Sequence, residues 1–275
     1  MIKISIVIPT LGRRDELDSC IQSIVQQAYK NIELIVVDQN CPNFMDDIIQ
    51  KYEEDIDIKH LKIGSKGVSR AKNHAVAFAE GEYIFFLDDD AEVFSDTLVN
   101  IISILSSKNL DVLFGRCIDR EGKNSVIDFH PVESYLSIDK HKNMFVESTM
   151  VIRRDLFQNN LFDESLGVGV FHGAEEGYDL VLRLLKKNKA VFYTPDFMIY
   201  HPQKINNYAG VDVKRVFTYR CGYAKFCKKH SLNFLYFKRL FLVCFYIPIC
   251  ILLRNKKARY YAVEFLALLS GRLID

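Results

Sequence analysis

The sequence lacks several signatures that would classify it at once. Its seven cysteines include no C-x-x-C pair and no metal-type spacing, which favours reduced thiols in a cytoplasmic protein. The opening MIKISIVIPT is too short an apolar run for a signal peptide and has no small-residue cleavage site. The stretch after this first predicted strand, PTLGRRDE, contains a single glycine, so a glycine-rich phosphate loop is missing there as well.

Acidic residues are absent from one long part of the chain. Between Val213 and Val263 there are 12 Lys and Arg residues and no Asp or Glu. The same part contains LFLVCFYIPICILL, an apolar run of 14 residues that includes Pro248, whereas a spanning helix needs about 20. Basic flanks around an apolar helix predict that residues 211–275 form a helical region on an anionic membrane surface. A helical hairpin packed on the body is the alternative, and the long aliphatic runs argue against nucleic acid.

The rest of the chain has the pattern of an α/β protein. Apolar residues make up 49% of the 275 residues, enough for a substantial core. The first 115 residues alternate apolar runs of strand type, such as KISIVIP and IELIVVD, with segments of helical spacing. This βαβ pattern predicts a mostly parallel, doubly wound sheet flanked by helices. We also expect Ser95 as an N-cap, FVESTMVIR as a strand, and AVFYTP and FMIYH as two short strands.

Three predicted strands end in notable residues: Pro9 and Thr10, then Asp38, then the run Asp88 to Asp90. Ligands bind at the carboxyl ends of strands in open α/β sheets. Adjacent carboxylates repel one another, but a divalent cation would neutralise them, and carboxylate oxygens suit Mg²⁺ or Mn²⁺. Alternation predicts Asp88 and Asp90 on one face and Asp89 on the other. A solvated acidic turn is the simpler alternative.

Two further stretches carry charges at predicted helix starts. GSKGVSRAKNHAV places Lys66, Arg70 and Lys72 around a glycine-punctuated start, which suits an anionic diphosphate as well as a plain amphipathic helix. HGAEEGYDLVLRLLKK places Glu175, Glu176 and Asp179 at a helix entrance. The helix dipole favours acids there, so these residues are either caps or candidates for a general base.

Together these motifs resemble glycosyltransferase family 2, the inverting class with the GT-A fold. SIVIPTLGR is similar to its opening strand, ELIVVDQN to its second strand, KGVSRAKNHAV to its G-x-S-x-A-R-N helix and FFLDDDAEV to its D-x-D metal site. The stretch from AEEGYDL to FMIYH resembles its acidic helix start and its closing strand with histidine. The likeness covers residues 3–201. It implies a GT-A catalytic domain over 1–210, with a nucleotide-binding half (1–115) and an acceptor half (116–210).

The resemblance also implies a reaction. A sugar would move from a nucleotide-diphosphate sugar, most simply a UDP-sugar, to a hydroxyl of a glycan or lipid-linked acceptor. The enzyme would make surface polysaccharide at the cytoplasmic face of the inner membrane, with Mn²⁺ or Mg²⁺ held by Asp88, Asp90 and His201. The residues implied to bind the donor are Pro9, Thr10, Arg13, Asp38, Lys66, Arg70, Asn73, Asp88 and Asp89.

The implied base is less direct. The family's acidic motif is E-D-x-D-L, with the second acid as base, and a gapless match on Asp179 puts Gly177 at that position. A one-residue insertion restores Glu175 and Glu176 as the pair, and we favour Glu176, with Glu175 kept as the alternative. Two other functions compete with transfer: a metal-dependent sugar nucleotidyltransferase, and a non-catalytic relative that only binds the sugar nucleotide.

Overall fold

The structure, a computed structural model, describes residues 1–202 and 213–274. The predicted boundary between residues 210 and 211 lies outside these ranges. The described chain forms two compact units. The first contains Met1–Lys66, Arg70–Leu161 and the chain from Leu180 to the gap, and the second contains Gly67–Ser69, Phe162–Asp179 and the described chain after the gap.

The first unit contains one nine-stranded sheet. Its strands are β1 (Ile4–Thr10), β2 (Ile32–Asp38), β3 (Ile58–Lys62), β4 (Tyr83–Phe86), β5 (Glu92–Val93), β6 (Val112–Ile118), β7 (Ser134–Tyr135), β8 (Val151–Arg153) and β9 (Val191–Tyr200). The spatial order is β3-β2-β1-β4-β8-β6-β9-β5, with β7 paired to β9. Every side chain of β1 and β2 is buried, as expected for strands covered on both faces.

The helices follow the apolar spacing of the sequence. They are α1 (Arg14–Val25), α2 (Asp46–Gln50), α3 (Val68–Val76), α4 (Thr97–Ser107), α5 (Arg154–Gln158), α6 (Glu176–Lys186), α7 (Val213–Lys229), α8 (Asn233–Leu252) and α9 (Lys257–Leu273). In α1, for example, Leu17, Ile21 and Ile24 are buried one turn apart.

The sheet has a switch point between β1 and β4. β1 pairs in parallel with β2 on one side and with β4 on the other, so the chain first proceeds outwards to β3 and then returns across β1. A crevice opens at the carboxyl ends of the strands where the order reverses in this way. Thr10 ends β1, and Asp88 follows β4 by two residues, so the predicted site residues lie at this switch point.

The strands around β9 differ from the sequence prediction. AVFYTP and FMIYH form one strand rather than two, and it continues through Pro195. The register against β6 shifts between Phe114 and Arg116, and such an irregularity accommodates a residue without a backbone N–H. The prediction of two strands was wrong because the irregularity lies within one continuous strand, since β9 has more residues between Tyr193 and Met198 than β6 has between Phe114 and Arg116.

Two local predictions were also wrong. FVESTMVIR is a strand only over β8, because a 3₁₀ turn, Glu147–Thr149, takes up its first half. Ser95 is not the N-cap of α4, since Asp96 occupies that position and makes no side-chain cap hydrogen bond. The Thr97 hydroxyl instead accepts from the Phe94 N–H and donates to the Met198 carbonyl.

The second unit contains the helices after the gap. α9 packs against both α7 and α8. The buried Glu264 carboxylate of α9 joins the three helices, because Arg220 of α7 lies 2.9 Å away and Arg239 of α8 lies 2.7 Å away. α8 is 20 residues long and is the one helix in the described ranges that is long and apolar enough to cross a membrane, and only 17% of this span is buried.

Candidate active site

The first group of predicted site residues surrounds Asp89. Its carboxylate is buried and accepts hydrogen bonds from the Thr10 hydroxyl at 2.9 Å and from the Arg13 guanidinium at 2.7 Å. Burial raises the pKa of Asp89, against the opposing charge of Arg13. Arg13 also lies 2.8 Å from Asp90. Asp89 therefore faces β1 and the start of α1 and connects the ends of β1 and β4.

The second group contains Asp88, Asp90 and His201. One ligand atom from each lies within 4.8 Å of the others. His201 Nε2 is 3.5 Å from Asp88 and 3.6 Å from Asp90. Two carboxylates and an imidazole, all partly exposed, are a donor set that fits a divalent cation. The structure thus brings together the three residues that the resemblance implied as metal ligands, from the turn after β4 and the end of β9.

Electrostatics shift the pKa values of Asp88 and His201 in this group. Burial raises the pKa of Asp88, but Lys72 and His201 outweigh it and lower the pKa to about 2. Burial also lowers the pKa of His201, while the hydrogen bond to Asp88 and the charges of Asp88 and Asp90 raise it above its ordinary value. Asp88 is therefore ionised at neutral pH, and a proton on His201 competes with any cation bound here.

Sequence reasoning named Lys72 at the start of α3 but missed its burial, and it missed Glu147 altogether. The Lys72 side chain is only 1% exposed, and its ammonium lies 2.5 Å from Glu147 and 3.7 Å from Asp88. The same ammonium lies 5.7 Å from the centre of the Phe86 ring. Helical spacing could have indicated this burial, because Lys72 follows the buried Ala71 and precedes the buried Ala75 on α3. A buried cation next to Asp88 compensates part of the negative charge.

The remaining residues implied for the donor lie in two places. Asp38, at the end of β2, is buried and accepts from the backbone N–H of Asn40 at 2.9 Å, while His60 Nε2 lies 3.1 Å away. Pro9 is buried in β1 beside Val37. Lys66 and Arg70 are exposed around the start of α3, and Asn73 is half-buried. Their roles in donor binding stay predictions.

The two candidate bases have different surroundings within the second unit. Glu176 is 9% exposed, and a methyl group added at Gly167 would lie 3.2 Å from its carboxyl carbon and 2.7 Å from the Ser69 hydroxyl. Glu175 is half-buried in the left-handed backbone region at φ 77°. Together with burial, its charge raises the pKa of Tyr178 to about 12. Glu176 therefore faces Gly167 and Ser69, whereas Glu175 lies near Tyr178.

Asp179, the third acid of this motif, is fully buried. Its carboxylate lies 2.8 Å from Lys229 and 2.9 Å from His230 Nε2. Its backbone N–H donates to the Glu175 carbonyl at 2.8 Å. Such a paired, buried carboxylate suits support of the segment better than contact with a substrate.

A family model named Glycosyl transferase family 2 matches residues 5–166. The chain belongs to this family. The match includes both strand ends at the switch point and the whole Asp88–Asp90 run. It ends before the Glu175–Glu176 pair and before His201, so both candidate bases and one of the three candidate metal ligands lie outside the matched region.

Two curated relatives are named for a glucosyltransferase acting on an undecaprenol-linked glycan and for teichoic acid biosynthesis. A GalNAc(5)-diNAcBac-PP-undecaprenol beta-1,3-glucosyltransferase of Campylobacter jejuni is 30% identical over 209 residues, which are 73% of this chain and 65% of that protein. The minor teichoic acid biosynthesis protein GgaB of Bacillus subtilis is 27% identical over 178 residues, 60% of this chain and 20% of that protein. The chain thus spans less than two thirds of the length of either relative.

Solved structures show the same fold. S. aureus TarS 1-349 matches with a TM-score of 0.66 at 15% identity, covering 99% of this chain and 92% of that chain. The mannosyltransferase PcManGT from Pyrobaculum calidifontis, solved with GDP-Man and Mn²⁺, matches with a TM-score of 0.59 at 14% identity, covering 98% and 73%. The predicted fold class, an α/β protein of the GT-A type with C-terminal helices, is confirmed.

Proposed function

We propose that this family 2 member is an inverting glycosyltransferase that uses a nucleotide-diphosphate sugar, with UDP-sugars as the first candidates. The observation that carries the proposal is the approach of Asp88, Asp90 and His201 at the switch point of the sheet. The printed names of the relatives support a glycan or lipid-linked acceptor in surface-polymer synthesis. A further solved relative, S. aureus TarS 1-349 in complex with UDP, supports the choice of nucleotide.

The first unit would bind the donor. Asp88, Asp90 and His201 would hold a divalent cation, which when bound would neutralise charge on the diphosphate leaving group. The Arg13 guanidinium forms ion pairs with Asp89 and Asp90. Its positive charge offsets the repulsion between these carboxylates, so their positions do not depend on metal cations alone. The donor roles of Pro9, Thr10, Asp38, Lys66, Arg70 and Asn73 are part of this proposal.

The second unit would supply the base. Glu176 would take the proton of the acceptor hydroxyl, which attacks the anomeric carbon while the bond to the diphosphate breaks, so the carbon inverts in one step. The position of Glu176 beside Gly167 and Ser69 supports this role. Ser69 belongs to the start of α3, where backbone N–H groups favour an anion such as the proposed donor diphosphate. Glu175, which is half-buried at a strained backbone position, is the weaker candidate.

A hydrolysis screen over sugar nucleotides with Mn²⁺ or Mg²⁺ tests this proposal. We expect release of a nucleoside diphosphate from at least one donor. Release of pyrophosphate would favour a nucleotidyltransferase, and binding without turnover across an acceptor panel would favour a non-catalytic relative. Glu176→Gln should abolish turnover, whereas Glu175→Gln and the exposed control Glu54→Gln should keep it. If only Glu175→Gln abolishes turnover, the base has been assigned to the wrong residue.

We also propose a peripheral contact of the C-terminal helices with the cytoplasmic face of the inner membrane. Large apolar side chains are exposed along α8, including Phe234, Phe237, Phe241 and Phe245, and exposed cations such as Arg254 follow it. This combination suits insertion into an anionic lipid surface. Phe241→Ser/Phe245→Ser should weaken sedimentation with vesicles containing phosphatidylglycerol. Equal sedimentation of the double variant and the unaltered protein would contradict the contact.

A further inference from the structure

One face of α7 contacts the segment that carries both candidate bases. We call residues 173–179 the base segment. The α7 stripe consists of Thr218, Gly222, Phe226 and Lys229 on this face together with His230, which directly follows α7. All of these residues belong to the second unit. Positions 218, 222, 226 and 229–230 are three or four residues apart, so they lie on one side of a helix.

The contacts follow one another along both segments. The Gly173 N–H donates to the Thr218 carbonyl at 2.9 Å. A methyl group at Gly222 would lie 2.6 Å from the Ala174 carbonyl oxygen, so the two backbones touch there. The Tyr178 and Phe226 rings meet edge to face with centroids 5.0 Å apart. Each turn of α7 therefore holds the next part of the base segment.

The last contact is ionic and buried. Asp179 lies 2.8 Å from Lys229 and 2.9 Å from His230, and the His230 side chain is only 4% exposed. Asp179 stands three residues after Glu176, one helical turn away. Since a buried carboxylate is costly without partners, these two side chains fix the first turn of α6, and with it the direction of the Glu176 side chain.

The backbone at the start of α6 needs such support. Glu175 has φ 77°. Residues other than glycine adopt this backbone conformation at a cost in free energy and keep it only where the surrounding structure enforces it. Its carbonyl accepts from the Asp179 N–H at 2.8 Å, so the contacts of Asp179 also hold the strained peptide. A base must be oriented closely to be effective, because small displacements reduce the rate.

We propose that the α7 stripe is a positioning device for the base, with Lys229 and His230 as positioning residues. The proposal rests on the proposed function, because it assumes that an acid of this pair takes the acceptor proton. It gives the basic C-terminal part of the chain a role in the chemistry in addition to any contact with lipid. α7 would then be required for turnover in detergent-free solution, where no membrane is present.

The test compares His230→Leu with His230→Gln, whose amide can restore the donor to Asp179. Lys229→Met is the second variant, which should fold because this side chain is partly exposed, and Lys228→Met is the exposed control on the same helix. For His230→Leu and Lys229→Met we expect kcat to fall about 10- to 100-fold. KM for the donor and the affinity for UDP should stay unchanged, and His230→Gln should recover most of the kcat.

Several results would overturn the proposal. Unchanged kcat in folded His230→Leu and Lys229→Met would do so, as would a loss of UDP affinity parallel to the loss of kcat. Failure of His230→Gln to restore any kcat in a folded protein would also contradict it. If Glu176→Gln and Glu175→Gln both retain turnover in the same assay, the proposed base fails independently, whatever the stripe variants do.

Discussion

The two acidic groups of this protein are held in different ways. Asp88 and Asp90 in the first unit are balanced by charges: His201 lies beside both, Lys72 near Asp88, and Arg13 near Asp90. Glu175 and Glu176 in the second unit belong to a segment held by close backbone packing on α7. The first group depends on electrostatics, whereas the second depends on close packing together with the ion pairs of Asp179. Changes of charge should therefore affect both groups, and changes of size mainly the second.

The largest expected effect comes from the metal-type group. Asp90→Asn keeps the size of the side chain but removes one anionic ligand, so cation-dependent turnover should fall about 100- to 1,000-fold. Steady-state assays across a Mn²⁺ titration measure this loss, with the exposed Asp55→Asn as a matched control. Turnover of Asp90→Asn equal to that of the control would show that the carboxylate has no part in the reaction.

The next effect tests whether charge balance holds the first group. Lys72→Met leaves Glu147 without its ammonium in a buried place, and breaking a buried pair costs about 3 kcal/mol. The exposed pair of Lys123 and Glu121, at the same 2.5 Å separation, is the control, and Lys123→Met should cost less than about 1 kcal/mol. Urea unfolding measures both. Similar losses in the two variants would argue against the importance of Lys72.

A change of size should act on the second group instead. Gly222→Ala places a methyl group against the Ala174 backbone, and overpacking of this kind costs about 1 to 3 kcal/mol. Gly64→Ala is the control, since an added methyl group there meets nothing within 4 Å. Thermal unfolding compares the two variants. If Gly222→Ala is as stable as Gly64→Ala, the packing of α7 on the base segment is looser than described.

The smallest effect is a pH dependence at Asp163, which shares Lys229 with Asp179. Burial raises the pKa of Asp163, but Lys229 and Ser165 outweigh it and lower the pKa to about 2. The depressed pKa means that this stabilisation is present above the unfolded pKa of about 3.9 and is lost as the pH falls towards 2. Asp163→Asn should therefore cost about 1 kcal/mol at pH 7, after allowance for solvent screening.

Urea unfolding at pH 7 and at pH 2.5 measures the contribution of Asp163. The difference between Asp163→Asn and the unaltered protein should shrink at the lower pH. A difference that stays constant between the two pH values would mean that the ion pair with Lys229 does not stabilise the folded state.

Much of the donor side could be predicted from the sequence. Apolar runs followed by Thr10, Asp38 and Asp88 predict both the sheet and its ligand-binding edge, because the sequence changes from apolar to polar within a few residues. Lys72 and Glu147 could not be paired in this way, since they are 75 residues apart and Glu147 belongs to no unusual local pattern. Strand β9 was divided incorrectly because its irregular register depends on a partner, β6, that is distant in sequence.

The support of the base was the least predictable part. The AEEGYD motif shows acidic residues at a helix start, but it does not show the surroundings of each side chain. That depends on Gly167 and on α7, which reads in the sequence only as a basic helix. In the sequence, the close approach of two backbones is indicated only by a glycine. Gly222 is not part of a recognisable motif, so its contact with the Ala174 backbone could not be predicted.

Binding of UDP in the presence of Mn²⁺, measured by calorimetry on three proteins, tests the central claim most directly. We expect Glu176→Gln to bind UDP as tightly as the unaltered protein although it has lost turnover, and Asp90→Asn to lose both cation-dependent binding and turnover. Loss of UDP binding in Glu176→Gln, or unchanged binding in Asp90→Asn, would contradict the proposal that Asp90 contributes to donor binding and that Glu176 acts only as the base.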